Sequence, residues 1–319
     1  SSEFSRPCPW TTSFKKGFTM ANQTIAVIGG TGFIGRHVLD ALIPQPTRVL
    51  VHRAQPSWLN GLQYVEPVQG DIFDPASLDR LLHDCKVMIN LTGQVEGPVD
   101  RYLDVNVRGT LNLAQACLRQ HVPRVIHASS ALVYGDALNA TEENSCNPCS
   151  PYATMKCAAE EIICSLLGPT TEVMCFRLSN VYGPAQTKGL IPYLLNCIRS
   201  RQRISIDADG AQTRDFVYVR DVAAAFTKAL TTPDWADRVN IGSGVPTSVI
   251  TLLRQIEEVL ELPAIGQYCP EHTGGERRNT VSIERAASVL AWRATTTLDE
   301  GLRAILRSQT LTVHHEVAA

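Results

Sequence analysis

The chain has 319 residues, 44% of them apolar, enough to bury a substantial core as one large domain or a domain with an appended lobe. Twenty-nine Lys and Arg against thirty-one Asp and Glu leave a formal charge of −2, and no basic run tracks a phosphate backbone, which argues against nucleic acid as a partner. No apolar stretch approaches the ~18 residues needed to cross a bilayer and no signal-peptide core opens the chain, so a cytoplasmic protein away from membranes is expected.

Residues 1–20 are polar and aperiodic and read as a leader or disordered extension, with Met20 a candidate native start. Beyond them short β-branched runs alternate with helical patterns. TIAVIGG (24–30) predicts a strand closed by glycines, and RHVLDALI (36–43) carries apolar residues at helical spacing before the breaker PQP. TRVLVHR, LQYVEPVQGD (62–71), VMINLTG (87–93), RVIHASS (124–130) and TEVMCFRLSNV (171–181) predict further strands, with helices expected over 75–85 and 105–121. Such alternation predicts an α/β fold, a parallel sheet covered on both faces. After about residue 183 the rhythm breaks up, through RISI and RVNIGSG strands to a helix over 249–262. That change predicts a smaller lobe interleaved with the end of the sheet.

Ten cysteines without secretory features read as reduced thiols, several of them small core residues. Cys146 and Cys149 form one C-x-x-C. No second pair or spaced histidines accompany it for zinc, and it does not open a helix of a thioredoxin-like unit, so it reads as a loop before the next helix and no metal site is expected.

Gly29, Gly32 and Gly35 are spaced G-x-x-G-x-x-G between a strand and a helix. Glycine permits the tight turn and the close approach of N–H groups to a pyrophosphate, while the helix N-terminus favours its charge. Gly29, Gly32, Phe33, Ile34 and Gly35 are therefore the expected cradle of a dinucleotide. Eighteen positions beyond Gly35, where an acidic residue would select NAD by its ribose hydroxyls, stands Arg53, whose guanidinium suits a 2′-phosphate. The site thus tilts toward NADP over NAD. Asp71 and Ile72 end the third apolar run, and Leu91, Thr92 and Gly93 end the fourth; both positions line the crevice at the carboxyl ends of strands, and Asp71 is a candidate acceptor for the adenine amino group.

In SPYATMK, Ser150 suits an N-cap and Pro151 the first helical position, so a helix is expected from Tyr152 to about Leu167, closed by Gly168 and Pro169. Tyr152 and Lys156 then share a face. A neighbouring ammonium favours phenolate, which would draw the phenol toward neutrality and make it a proton donor and acceptor near pH 7. Lys156 can also hold a nicotinamide ribose. Upstream, Ser129 and Ser130 end a strand, with a turn or cap role expected first for Ser129 and a substrate-facing hydroxyl for Ser130.

Taken together, GGTGFIG, GDIFD, DVNVRGT, SSALVYG, YATMK, RLSNVYGP, TRDFVYVRDVAAA, NIGSG and GGERRNTVSIERAASVLAW, in that order over about residues 24–305, resemble the extended short-chain dehydrogenases/reductases, specifically the nucleotide-sugar epimerase/dehydratase/reductase group. The resemblance implies a Rossmann-type, doubly wound parallel sheet binding NAD(P) over 21–183 and a smaller C-terminal substrate-binding lobe mainly over 184–319. It also implies a nucleotide-diphosphate sugar as substrate and a homodimer built on two long helices per subunit. By position, Ser130 matches the family's hydroxyl, Tyr152 its acid/base and Lys156 its ribose-binding lysine. Asn180, Arg214 and Arg277 match groups that meet the diphosphate and nearby hydroxyls, with Arg278 a competitor for the last role.

Sugar 4,6-dehydratases similar to this chain carry Asp-Glu after the catalytic hydroxyl, because elimination of water needs a further acid and base. Here that pair is Ala131-Leu132, which disfavours dehydration. A keto-sugar reductase using NADPH once and a 4-epimerase that removes and returns hydride both remain. Arg53 leans the expectation to the reductase, with the 4-epimerase as alternative. The segment TGQVEGPVDRYLDVN is short for a typical epimerase of the group. A steroid or flavonoid reductase, or a cofactor-binding protein without turnover, is disfavoured by Asn180, Arg214 and Arg277 and by the intact Ser130, Tyr152 and Lys156 set.

Overall fold

A computed structural model of the chain describes residues 23–317 except 54, 208, 234 and 270–275; the expected leader at 1–20 lies outside the described residues. Strand and helix alternate from β1 (Ile25–Ile28) and α1 (Phe33–Leu42) through β2 (Thr47–Val51), β3 (Val65–Gln69), α2 (Pro75–Leu82) and β4 (Val87–Asn90). Next come α3 (Val99–Tyr102), α4 (Gly109–Arg119), β5 (Arg124–Ser130), β6 (Ala137–Ala140), α5 (Pro151–Leu167), β7 (Glu172–Leu178) and β8 (Asn180–Tyr182). The second half holds α6 (Leu190–Arg199), β9 (Arg203–Asp207), β10 (Thr213–Tyr218), α7 (Val219–Thr231), β11 (Arg238–Ile241) and β12 (Pro246–Ser248). It ends with α8 (Val249–Leu260), β13 (Ile265–Cys269), β14 (Arg278–Val281), α9 (Glu284–Leu290) and α10 (Leu298–Val317).

The central sheet runs β11-β7-β5-β4-β1-β2-β3, and every adjacent pair is parallel. This is the Rossmann-type doubly wound order, with the reversal of direction between β1 and β4. Strands β1, β4 and β5 are buried along their whole length, as a sheet covered on both faces requires. One face packs Val38, Leu39 and Leu42 of α1 with Val222, Phe226 and Leu230 of α7, and the Phe176 and Phe226 rings meet at 4.9 Å. The other packs Leu78, Leu81 and Leu82 of α2, Leu113 and Cys117 of α4, and Ile163 and Leu167 of α5. Full burial of each such side chain contributes about 1.5–3 kcal/mol, so the two layers fix the sheet that carries the site.

A second sheet, β12-β10-β14-β6 with β8 also on β10, builds the smaller lobe, and β9 pairs with β13 beside it. The two sheets exchange strands. β6, from the first half of the chain, joins β14, whereas β11, from the second half, closes the edge of the central sheet on β7.

The helix expected over 105–121 starts earlier. Pro98, at φ −61, enters α3 at Val99, and a π-helical stretch, Leu103–Arg108, carries the same helix into α4. The extra residue in that wide turn shifts the apolar spacing, so the 3.6-residue pattern is not continuous across it and the first turns read as loop. Among the described residues no helix is long and apolar enough to cross a membrane.

Candidate active site

Gly29 sits at φ +78, a conformation open to glycine, and a Cβ on it would lie 2.8 Å from the carbonyl carbon of Leu91 and 2.9 Å from Thr92 N. A Cβ on Gly35 would lie 2.3 Å from Gly29 O. The turn is therefore pressed against the end of β4, with Gly32 N donating to Gly29 O at 3.1 Å. Gly32 caps α1 without a side-chain partner, which leaves the first-turn N–H groups of this ten-residue helix facing the crevice. Phe33 is half-buried, with its ring edge-on to His37, while Ile34 leans on the core. The cradle fits a dinucleotide pyrophosphate: a backbone-lined hollow, closed to side chains, at a helix N-terminus and a topological switch point.

Around it, Arg53 stands exposed beyond β2. Asp71 accepts from Phe73 N at 2.9 Å and lies 3.1 Å from His52 Nε2, so its carboxylate is partly engaged where an adenine amino group was expected. Ile72 is buried under Gly109 of α4, and its side chain serves the core, not the crevice.

α5 forms as its sequence predicts, with Ser150 Oγ accepting from Ala153 N at 3.3 Å and Pro151 at the first turn. Tyr152 and Lys156 share its face toward the ends of β4 and β5. The Ser130 hydroxyl hydrogen-bonds the Tyr152 phenol. Lys156 is 3% exposed, and its Nζ donates to Thr92 O at 3.1 Å and Ala128 O at 2.9 Å. Gly93 lies close by, and a Cβ on it would sit 3.2 Å from Nζ and press on the ammonium.

The electrostatics differ from the sequence expectation. Burial pushes the Tyr152 phenol up to about 12, and the bond from Ser130 recovers only part of this. Lys156 does not draw the phenol toward neutrality; two of the three donors of its ammonium are engaged by carbonyls, and burial lowers it to about 8 against the opposing pull of Glu160. The cap role expected for Ser129 falls to Ser130. Ser130 accepts from Leu132 N at 3.2 Å and caps the short turn that follows, while Ser129 points toward α5 and bonds Glu160. Strand alternation explains this, because Ser129 follows His127 on the α5 side of β5.

The three residues assigned to a diphosphate are not gathered in one hollow. Asn180 lines a cavity of about 280 Å³ with Val95, Gln186, Lys188 and Phe216. Arg277, exposed, lines a different and more open cavity with Asp136, Thr213 and Arg278. Half-buried Arg214 donates to Thr213 O at 2.9 Å and faces Glu276 and Asp136. Arg278 is tied to Asp136, by its N–H at 2.8 Å and its Nε at 3.4 Å, leaving Arg277 the more available of the neighbours.

Several supporting residues carry no sequence signal of their own. Asn106, in the π-helical turn, bonds both N and O of Gln94 and pins the loop after β4. Asn90 accepts from Thr92 N and donates to His127 Nδ1 at 3.0 Å, so the His127 proton sits on Nε2; burial first, then Lys156, hold this imidazole neutral. Asp215 accepts from Ser243 N, Ser243 Oγ and Gly244 N, locking the NIGSG loop to β10.

A Gly-rich switch point beside a buried lysine, a tyrosine and a serine defines a dinucleotide-binding oxidoreductase-type fold. Residues 25–242 match the NAD dependent epimerase/dehydratase family, and the chain belongs to it. A putative UDP-glucose 4-epimerase of Methanocaldococcus jannaschii is 34% identical over 88% of this chain and 97% of its own length. The UDP-glucose 4-epimerase of Mycolicibacterium smegmatis is 32% identical over 86% and 95%. Among solved structures, MoeE5 in complex with UDP-glucuronic acid and NAD superposes with a TM-score of 0.84 at 28% identity, over 91% of this chain and 99% of that one. The chain thus groups with the extended short-chain dehydrogenases/reductases of the epimerase/dehydratase family.

Proposed function

We propose that the protein is a nucleotide-sugar 4-epimerase that uses NAD and acts on a UDP-hexose. One observation carries the reading: the Ser130–Tyr152 pair is followed by Ala131, buried, and Leu132, neither able to move a proton, so these positions supply no acid and base beyond the tyrosine. That suffices for removing and restoring one hydrogen and does not suffice for eliminating water. NAD+, held by the Gly29–Gly35 turn and Lys156, would supply the hydride acceptor and donor that the reaction needs. Tyr152 takes up and gives back the hydroxyl proton, Ser130 orients the same oxygen, and Lys156 presents its ammonium to the ribose hydroxyls. The Gly29–Gly35 turn holds the pyrophosphate.

The lean to a reductase rested on Arg53. The relatives named above are 4-epimerases, and the solved neighbour holds NAD, so neither the reductase nor the preference for NADP draws support from them. Arg53, exposed at the rim, is compatible with either cofactor.

The test is to incubate the protein with UDP-glucose and NAD+ and follow UDP-galactose by NMR, while identifying the cofactor released on denaturation by mass. Epimerisation without net change in NADH is expected, and Tyr152→Phe should keep bound cofactor while turnover falls by ~100-fold or more. Stoichiometric consumption of NADPH with a keto sugar, and no epimer, would replace this reading by the reductase.

A further inference from the structure

The cysteines of the C-x-x-C do not face each other. Cys149 turns its thiol to Asn147 O at 3.5 Å. Cys146 instead turns toward α5, where its sulfur accepts from Arg177 Nη2 at 3.2 Å and lies beside the Cys157 thiol, one turn before the Glu160 that Arg177 also bonds. Arg177 is firmly placed: its Nη2 lies 2.7 Å from Glu160, the two side chains are 3% and 1% exposed, and its guanidinium covers the Tyr134 ring at 4.8 Å. Its Nη1 is buried and has no hydrogen-bond partner among the described residues, leaving donor capacity beside the sulfur. Glu160 follows Cys157 by one turn of α5, so the ion pair and both thiols belong to one cluster. Cys146 is exposed and Cys157 half-buried.

We propose that Cys146 is a peroxide-reactive thiol and that Cys157 converts its oxidised form into a Cys146–Cys157 disulfide. The hydrogen bond from Cys157, then Arg177 and Arg238, favour the Cys146 thiolate; burial and Glu160 oppose it, and the balance brings the thiol down to about 7. The thiolate attacks a peroxide oxygen, the O–O bond breaks, and the hydroxide that leaves takes up the proton the Cys146 thiol released on ionising, giving water and a sulfenic acid. The Cys157 sulfur then attacks the Cys146 sulfur; the S–O bond breaks, and the hydroxyl departs as water with the Cys157 proton. Two thiols are oxidised and one peroxide is reduced to two waters. Cys157 is itself hard to ionise, chiefly because of its bond to Cys146. Oxidation of Cys146 to an uncharged sulfenic acid removes the thiolate beside it. The resulting bond would join the segment that enters α5 at Ser150 to the position after Lys156. By contrast, the sulfurs of Cys164 and Cys175 lie 3.9 Å apart, but Cys175 is buried and its thiol is raised well above the usual range, which makes it an internal control.

The test uses the full chain and hydrogen peroxide, with alkylation, tryptic digestion and mass spectrometry. Expected are a 146–157 linked peptide lost on adding dithiothreitol, and accumulation of sulfenic acid on Cys146, trapped by dimedone, in Cys157→Ser. Without peroxide, iodoacetamide should modify Cys146 on the order of tenfold faster than Cys149 at pH 7, a readout that needs no variant to fold. A 146–149 linkage, or equal alkylation of the two exposed thiols, overturns the proposal. The readout is independent of epimerase turnover, so it stands or falls apart from that assignment.

Discussion

The cofactor cradle and the lobe cavities are built from different materials. The cradle is backbone: Gly29 folds against Leu91 and Thr92, Gly32 and Gly35 close on Gly29 itself, and added Cβ atoms at Gly29 and Gly35 would press into main chain. The lobe side is made of long polar side chains from separate elements, Asn180 on β8, Arg214 on β10 and Arg277 just before β14, and they line more than one hollow. A backbone site tolerates almost no change at its glycines and is indifferent to which sugar follows. A side-chain site loses affinity in steps. On the proposed assignment, cofactor binding would be fixed early in the chain and substrate choice distributed over its later part.

This contrast is most sharply broken at Gly35. Replacing it by alanine sets a methyl 2.3 Å from Gly29 O, which the backbone cannot yield cheaply; overpacking of this kind costs about 1–3 kcal/mol. Gly35→Ala should lower thermal stability and weaken NAD binding by ~10-fold or more by calorimetry, abolishing most turnover. Wild-type affinity in that variant would show that the turn is not the pyrophosphate site.

An intermediate effect is expected from pH, because Lys156 is buried on the cradle side, bonded to the loop after β4 at Thr92 and to β5 at Ala128. Its depressed folded value, about 8 against the ordinary 10.5, means the unfolded chain binds the proton more tightly. The destabilisation is complete below about 8 and is relieved as pH rises toward 10.5, so this residue makes stability climb over that window. Turnover should move the other way, falling as the ammonium discharges. Tm and kcat measured from pH 7 to 10 should diverge, and Lys156→Met should remove the residue's share of the climb in Tm. An unaltered Tm profile in that variant would mean the lysine is not depressed.

Smallest is Arg277→Ala. One exposed charged donor contributes about 1.4 kcal/mol to a diphosphate, so KM should rise on the order of tenfold with kcat nearly constant. No change would move the diphosphate to Asn180's cavity alone.

The sequence was legible where local rules and tertiary structure agree. The Ser150-Pro151 opening of α5 and the glycine turn are local rules, and both appear at the residues expected. The helix from Val99 was misread because a π-helical turn interrupts its period. The phenol's environment was misread for another reason: pairing on one helix face is visible in sequence, whereas the carbonyls of Thr92 and Ala128 that occupy the lysine come from other strands. Likewise, nothing near Cys146 announces Cys157 as its neighbour, since that contact depends on how the segment before α5 folds back.

The exchange of β6 and β11 between the sheets bears on how such a protein can diversify. A graft that replaced everything after residue 183 would strip the central sheet of its edge strand and leave Ala137–Ala140 with no ladder to join. New sugar specificity must therefore arrive by point changes and loop edits within an intact chain, not by module shuffling. For the same reason the two halves cannot swing apart as free bodies, since each sheet is completed by a strand from the other half of the chain.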